Sequence, residues 1–92
     1  MKTNTAKSPS PLCSTLLRVE RSQGRIYSLI ELCVFEDTVF CISVTDEEFA
    51  AELCGDDQDS AQKLFDLLCS ESVPSYQLFD VISDFKRELQ HK

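Results

Sequence analysis

Arg25 to Thr45, RIYSLIELCVFEDTVFCISVT, carries the densest β-branched and aromatic content of this 92-residue chain. One polar break, Glu36-Asp37-Thr38, divides it, and the pattern predicts two adjacent antiparallel strands. Parity then limits how they pair. An odd connection sets Val34 opposite Phe40, Leu32 opposite Ile42 and Ile30 opposite Val44. An even one would put Glu31 beside Ile42 and leave Ile30 facing Ser43. Because a one-residue slip turns every side chain over, the odd register is expected.

Upstream, Leu12 to Glu20 alternates as a strand, and Arg21-Ser22-Gln23-Gly24 reads as a polar turn whose glycine can take a positive φ. A four-residue connection places Glu20 opposite Arg25, Val19 opposite Ile26, Leu17 opposite Ser28 and Thr15 opposite Ile30. The expected product is a three-stranded meander whose apolar face holds Leu17, Val19, Ile30 and Leu32. Its other face would show Tyr27, Leu29, Phe35 and Val39, with Cys33 and Cys41, among Arg18, Glu20 and Glu31. A freely solvated antiparallel face is more polar than that. Tyr27, Leu29, Phe35 and Val39 are therefore the candidate interaction residues, for an unknown protein partner or a second copy of the chain.

Downstream, Thr45 to Gly55 is ambiguous. Thr45 with Glu48 forms a capping box for a helix, whereas Phe49, Ala51 and Leu53 alternate as in a short strand. Asp57 or Asp59 caps a helix over about residues 58–70, with Ala61, Leu64, Phe65 and Leu68 on one stripe. A last helix over about 74–90 opens near Pro74 and repeats Leu78, Val81, Ile82, Phe85 and Leu89 at helical spacing. The expected core is Leu17, Val19, Ile30, Leu32, Phe40, Ile42, Leu64, Leu68, Val81, Ile82 and Phe85.

Composition narrows the function classes. The length suits one domain, taken as residues 12–92 behind a flexible leader over 1–11. At 42% hydrophobic and 27% charged the chain is globular in composition. No apolar run nears the roughly 18 residues of a membrane span, and the N-terminus lacks the apolar region of a secretory signal. A cytoplasmic protein without membrane contact is the expectation. The net charge of -7 is unevenly spread: +4 over residues 1–25, -13 over 26–85 and +2 over 86–92. An acidic body repels phosphate backbones, so nucleic acid is not an expected partner.

Catalytic constellations are hard to assemble from these residues. The single histidine, His91, is second from the end, and Gly24 and Gly55 lie too far apart for a phosphate loop. Asp56-Asp57-Gln58-Asp59 fails as a calcium loop: counted from Asp57, position six is Gln62 and position twelve Leu68. Carboxylates at a helix N-terminus are the simpler reading. Asp80 and Asp84, one turn apart, read as a solvated helix face. The five cysteines are odd in number with no CxxC spacing, so buried free thiols are the default. In the odd register Cys33 and Cys41 stand opposite each other, as packed thiols, as a redox pair or as half of a metal site. No metal site and no cofactor is expected.

The strand pair ending CISV, the stretch ELCGDDQDSAQKLFDLL and above all VPSYQLFDVISDF resemble a family of short uncharacterised proteins from clostridia-type Firmicutes, classed as a domain of unknown function. The resemblance spans about Tyr27 to Phe85. It implies a bacterial source and a short β-region ahead of the acidic cap, which inclines 49–54 towards a fourth strand, followed by a Pro-initiated helix ending in a step like Asp84-Phe85. It implies no activity, and the cysteines and basic leader lie outside it. The fold class expected is α+β: an antiparallel meander of three or four strands (about 12–20, 25–35, 39–45 and, if present, 49–54) with two C-terminal helices on one face. The function expected is a small acidic interaction or regulatory module, not an enzyme; the alternative is a thiol-based redox or metal sensor using Cys33 and Cys41.

Overall fold

The structure, a computed structural model, describes residues 12–90. The leader expected over residues 1–11 lies outside them, as does His91. Four strands, β1 (Leu12–Ser22), β2 (Arg25–Val34), β3 (Asp37–Thr45) and β4 (Phe49–Gly55), form one antiparallel sheet in the order β1-β2-β3-β4. Helix α1 (Gln58–Ser70), a 3-10 turn (Ser75–Gln77) and helix α2 (Leu78–Gln90) follow. This is the expected α+β meander with two C-terminal helices. The ambiguous segment after Thr45 is a strand.

The first two hairpins turn in two residues each, which changes the pairing. At the first, Gln23 and Gly24 take φ 56° and 77°, the left-handed pair that matches the twist of two-residue hairpins. Ser22 therefore pairs with Arg25 and Val19 with Ser28, two residues away from the expected partners but with parity kept. A bulge at Leu17, between the pairs Leu16–Ile30 and Arg18–Leu29, then swaps the faces of the first half of β1.

The second hairpin corrects the expected register. Its turn is Phe35-Glu36, with Phe35 at φ 59°, so Val34 pairs with Asp37, Leu32 with Val39, Ile30 with Cys41 and Leu29 with Ile42. The polar residues Asp37 and Thr38 thus belong to the ladder and not to the turn. An even connection puts Tyr27 and Leu29 on the same side as Phe40, Ile42 and Val44, and this side faces the helices. Tyr27, Leu29, Ile42 and Val44 are fully buried there, together with Ala61, Leu64, Phe65 and Leu68 of α1 and with Leu78 and Ile82 of α2. Leu17, Val81 and Phe85 pack half-buried at its margin. Val19, Ile30 and Leu32, expected in the core, lie on the other side of the sheet.

Polar contacts fix how the helices sit. The Tyr27 hydroxyl donates to the Val73 carbonyl at 2.8 Å inside the core. Asp57 caps α1 by accepting from the Ser60 N–H at 2.9 Å. At the other end Ser72 takes φ 51°, Ser72 N–H reaches the Cys69 carbonyl, and Val73 N–H reaches that of Leu68. That is a Schellman stop, and its apolar pair is the buried Leu68 and Val73. Pro74 stands ahead of the 3-10 turn, so the regular part of the last helix begins at Leu78 and not at Pro74. On the sheet edge, the Arg18 guanidinium lies 4.6 Å from the centre of the Phe65 ring and pairs with Asp66 at 2.8 Å, tying β1 to α1.

The corrected register is open to a direct check. Leu29→Ala is expected to lower unfolding free energy by about 2–5 kcal/mol, and Val19→Ala by less than about 1 kcal/mol. Urea titration at low micromolar protein measures both, and the reverse ranking would restore the odd register.

Candidate functional site: the open face of the sheet

Period-two alternation sends a second set of side chains away from the helices. From β2 these are Ile26, Ser28, Ile30, Leu32 and Val34, and from β3 Asp37, Val39, Cys41, Ser43 and Thr45. The edge strands add Leu16, Val19 and Arg21 on one side and Phe49, Ala51 and Leu53 on the other. None of the described helices covers this face. Leu16 is 59% exposed, Phe49 67%, Leu53 50% and Val19 46%, while Ile26, Ile30, Leu32, Val39 and Cys41 are half-buried. Its polar centre is the small pair Ser28–Ser43, and its charges, Arg21 and Asp37, sit in rows at opposite ends of the strands. A solvated antiparallel face alternates to polar residues, and this one does not.

The residues expected at an interaction surface are divided by the corrected register. Tyr27 and Leu29 are fully buried under the helices, and Phe35 projects from its turn at 79% exposure. Val39 lies on the open face. The residues that dominate the face, Ile30, Leu32, Phe49 and Leu53, carry a readable signal, since they alternate with the core residues. What decides which set is covered is the turn length, and the break Glu36-Asp37-Thr38 disguises it.

Cys33 and Cys41 are not brought together. Cys33 pairs with Thr38 and with Cys13, while Cys41 pairs with Ile30 and Leu53 on the other side of the sheet. The reason is the same two-residue turn, which shifts β3 by three positions along β2 relative to the odd register. Hydrogen bonding with Cys13 is the main cause that raises the Cys33 thiol, followed by burial. Burial raises Cys41 and Cys69, and pushes Cys54, which donates to the Phe40 carbonyl, up to about 11. Thiols shifted upwards are poor nucleophiles at neutral pH. Among the described residues, no three His, Cys, Asp or Glu side chains converge as metal ligands.

One cavity, of about 660 Å³, lies at the end of the sheet between the β1–β2 turn, the β3–β4 turn and the 3-10 turn, lined by residues including Arg25, Asp46, Ser75 and Tyr76. Its organising group is Asp46, which the sequence reading did not single out. The carboxylate accepts from the Glu48 N–H at 2.9 Å, the Ser75 N–H at 2.9 Å and the Ser75 hydroxyl at 2.8 Å, and from Arg25 Nε at 3.3 Å. The Glu48 N–H first, and then Ser75 and Arg25, hold it well below the usual carboxylate range. A carboxylate with four donors has no spare lone pair to act as a base. Asp46 is a staple between the sheet and the helical segment.

No protein-family model, curated protein or solved structure matches the chain. No helix among the described residues is long and apolar enough to cross a membrane.

Two measurements test these placements. Diamide oxidation is expected to join Cys13 to Cys33, the diamide taking two electrons and two protons from the two thiols, because directly opposed Cα atoms in an antiparallel pair fall within disulfide range. Peptide mapping should find that link and none between Cys33 and Cys41; the converse would refute the register. Asp46 has a folded pKa below its unfolded value near about 3.9, so its stabilisation is fully present above that value and is lost progressively as pH falls from there through the lower folded one. Asp46→Asn should therefore lower the urea midpoint at pH 7, and the gap from the unmodified chain should narrow between about pH 4 and pH 2. A gap independent of pH would contradict the assignment.

Proposed function

We propose that this chain is a small protein-interaction module, regulatory rather than catalytic, that binds through the open face of its sheet. The observation that carries the reading is the exposure of Leu16, Val19, Phe49 and Leu53 around half-buried Ile30 and Leu32, with both charges of the face at its ends. An exposed apolar area of that size gains free energy when an apolar partner surface removes it from water. The saturated hydrogen bonding of Asp46 and the upward-shifted thiols favour binding over catalysis. A net charge of -7 favours a protein partner over nucleic acid. Membership of the clostridia-type family of short proteins and a cytoplasmic location belong to the same proposal, the former supported by the acidic cap at Asp57 and the helical VPSYQLFDVISDF stretch. A second reading, thiol-based redox sensing, is favoured by the Cys13–Cys33 pair in place of Cys33 and Cys41.

Site-specific photocrosslinking in the native cell tests the interaction reading. Benzoylphenylalanine placed at Leu16 or Leu53 is expected to give discrete adducts, and at Leu67, exposed on α1, none. Equal labelling at all three positions, or no adduct from the sheet positions, would rule the open face out.

A further inference from the structure

The occupant of the open face can be named from its shape and charge. We infer that it is a second copy of this chain, packed sheet against sheet about a two-fold axis to make an α-β-β-α sandwich. The inference rests on reading the open face as an interaction surface and adds the identity of the partner.

Two routes to self-association are available to an exposed sheet, edge extension and face packing. Both edge strands carry a bulge, β1 at Leu17 and β4 at Cys54, where Phe40 pairs with Gly55 and Cys41 with Leu53. Bulges bend an edge away from a continuing ladder, and Arg18 turned inward on β1 adds a charge to that edge. Edge extension is therefore opposed at both sides. Face packing meets no such obstacle.

Area is sufficient. Four strands about 4.8 Å apart, over roughly eight residues at about 3.3 Å each, give a face of about 500 Å² in plan. Side-chain relief raises the accessible area, so two copies bury on the order of 1,000–1,500 Å² in total, which reaches the lower range of standard specific interfaces. The central pair Ser28–Ser43 is small and Ser43 is buried among its neighbours, so no large polar group stands between two facing sheets at the usual spacing of about 10 Å.

Charge selects both the partner and the orientation. A face whose charges, among the described residues, are Arg21 at one end and Asp37 at the other is self-complementary under a two-fold axis that runs across the strands. That operation lays the Arg21 end of one copy over the Asp37 end of the other. The two residues are then offset by about two strand spacings, roughly 10 Å, across a sheet separation of about 10 Å. Their side chains, each reaching into the gap, attract through space within about a Debye length and not by direct contact. An isologous interface repeats the pair twice.

Sedimentation equilibrium of the full chain at about 100 μM should give twice the 10.4 kDa chain mass. Leu53→Lys and Val19→Lys, at positions exposed enough to spare the fold, should each weaken dimerisation about tenfold or more with the circular dichroism spectrum unchanged, and Phe79→Lys on exposed α2 should not. Arg21→Glu or Asp37→Lys alone should weaken it about 2–10-fold, and the double swap should restore it. A monomeric chain would overturn the second copy; if the photocrosslinks at Leu16 and Leu53 then capture another protein, the interaction reading stands, and if they capture none, both fall. A dimer indifferent to Leu53→Lys and Val19→Lys would overturn the face, and additive losses from the two charge swaps would overturn the two-fold orientation.

Discussion

The length of one turn decides which half of the sheet is core. With two residues between β2 and β3, Tyr27 and Leu29 fall in line with Phe40, Ile42 and Val44, and the helices have a continuous apolar surface to cover. A turn of odd length would bring Ile30 and Leu32 into that line, and the two-period of the strand admits no compromise between them. The turn is held at a local cost, since Phe35 adopts φ 59°, a region that bulky residues seldom visit. What over-determines it is the packing beneath: each fully buried aliphatic or aromatic side chain contributes about 1.5–3 kcal/mol, and several of them together outweigh the roughly 1–2 kcal/mol strain of a single left-handed residue.

The helices are then fastened to that surface at its corners. Arg18 stacks on Phe65 and pairs with Asp66 at one edge, while Asp46 gathers Arg25, Glu48 and Ser75 at the end where two turns meet. Between these staples the Tyr27 hydroxyl satisfies the Val73 carbonyl at the point where the chain leaves α1. That carbonyl would otherwise be a buried acceptor without a donor, a loss of about 1–3 kcal/mol. Tyr27 is thus on the helix side for a polar reason as well as an apolar one.

Much of the architecture was legible because it rests on local signals. The helix α1 stripe, the Asp57 cap, the apolar spacing of α2 and the existence of the strands follow from period and capping chemistry, which depend on near neighbours. The faces of the sheet were not legible. Both sides of β2 are apolar, so counting apolar residues cannot rank them, and the polar triplet Glu36-Asp37-Thr38 imitates a turn while two of its members pair in the ladder. The bulges at Leu17 and Cys54 leave no signature in composition, and the Cys13–Cys33 pair depends on the Leu17 bulge that lies between it and the β1–β2 turn. Of the residues expected together on the less polar face, Val39 lies on the open side of the sheet, whereas Tyr27 and Leu29 lie under the helices.

An uncovered apolar face would ordinarily be a liability, and the distribution of charge explains how this chain can carry one. The acids of residues 46–88 lie in the turns, on the helices and on the helix side of β4, so any approach between two copies by those surfaces brings carboxylates together. The open face is the approach that does not. Screening limits the repulsion to about a Debye length, roughly 8 Å at physiological salt, which is shorter than the thickness of the helical layer behind each sheet. In the proposed dimer this repulsion would orient encounters without opposing the contact itself. Apolar attraction acts only at contact and has no direction of its own, so in the proposed dimer the acidic helices would supply the selectivity that the sheet lacks.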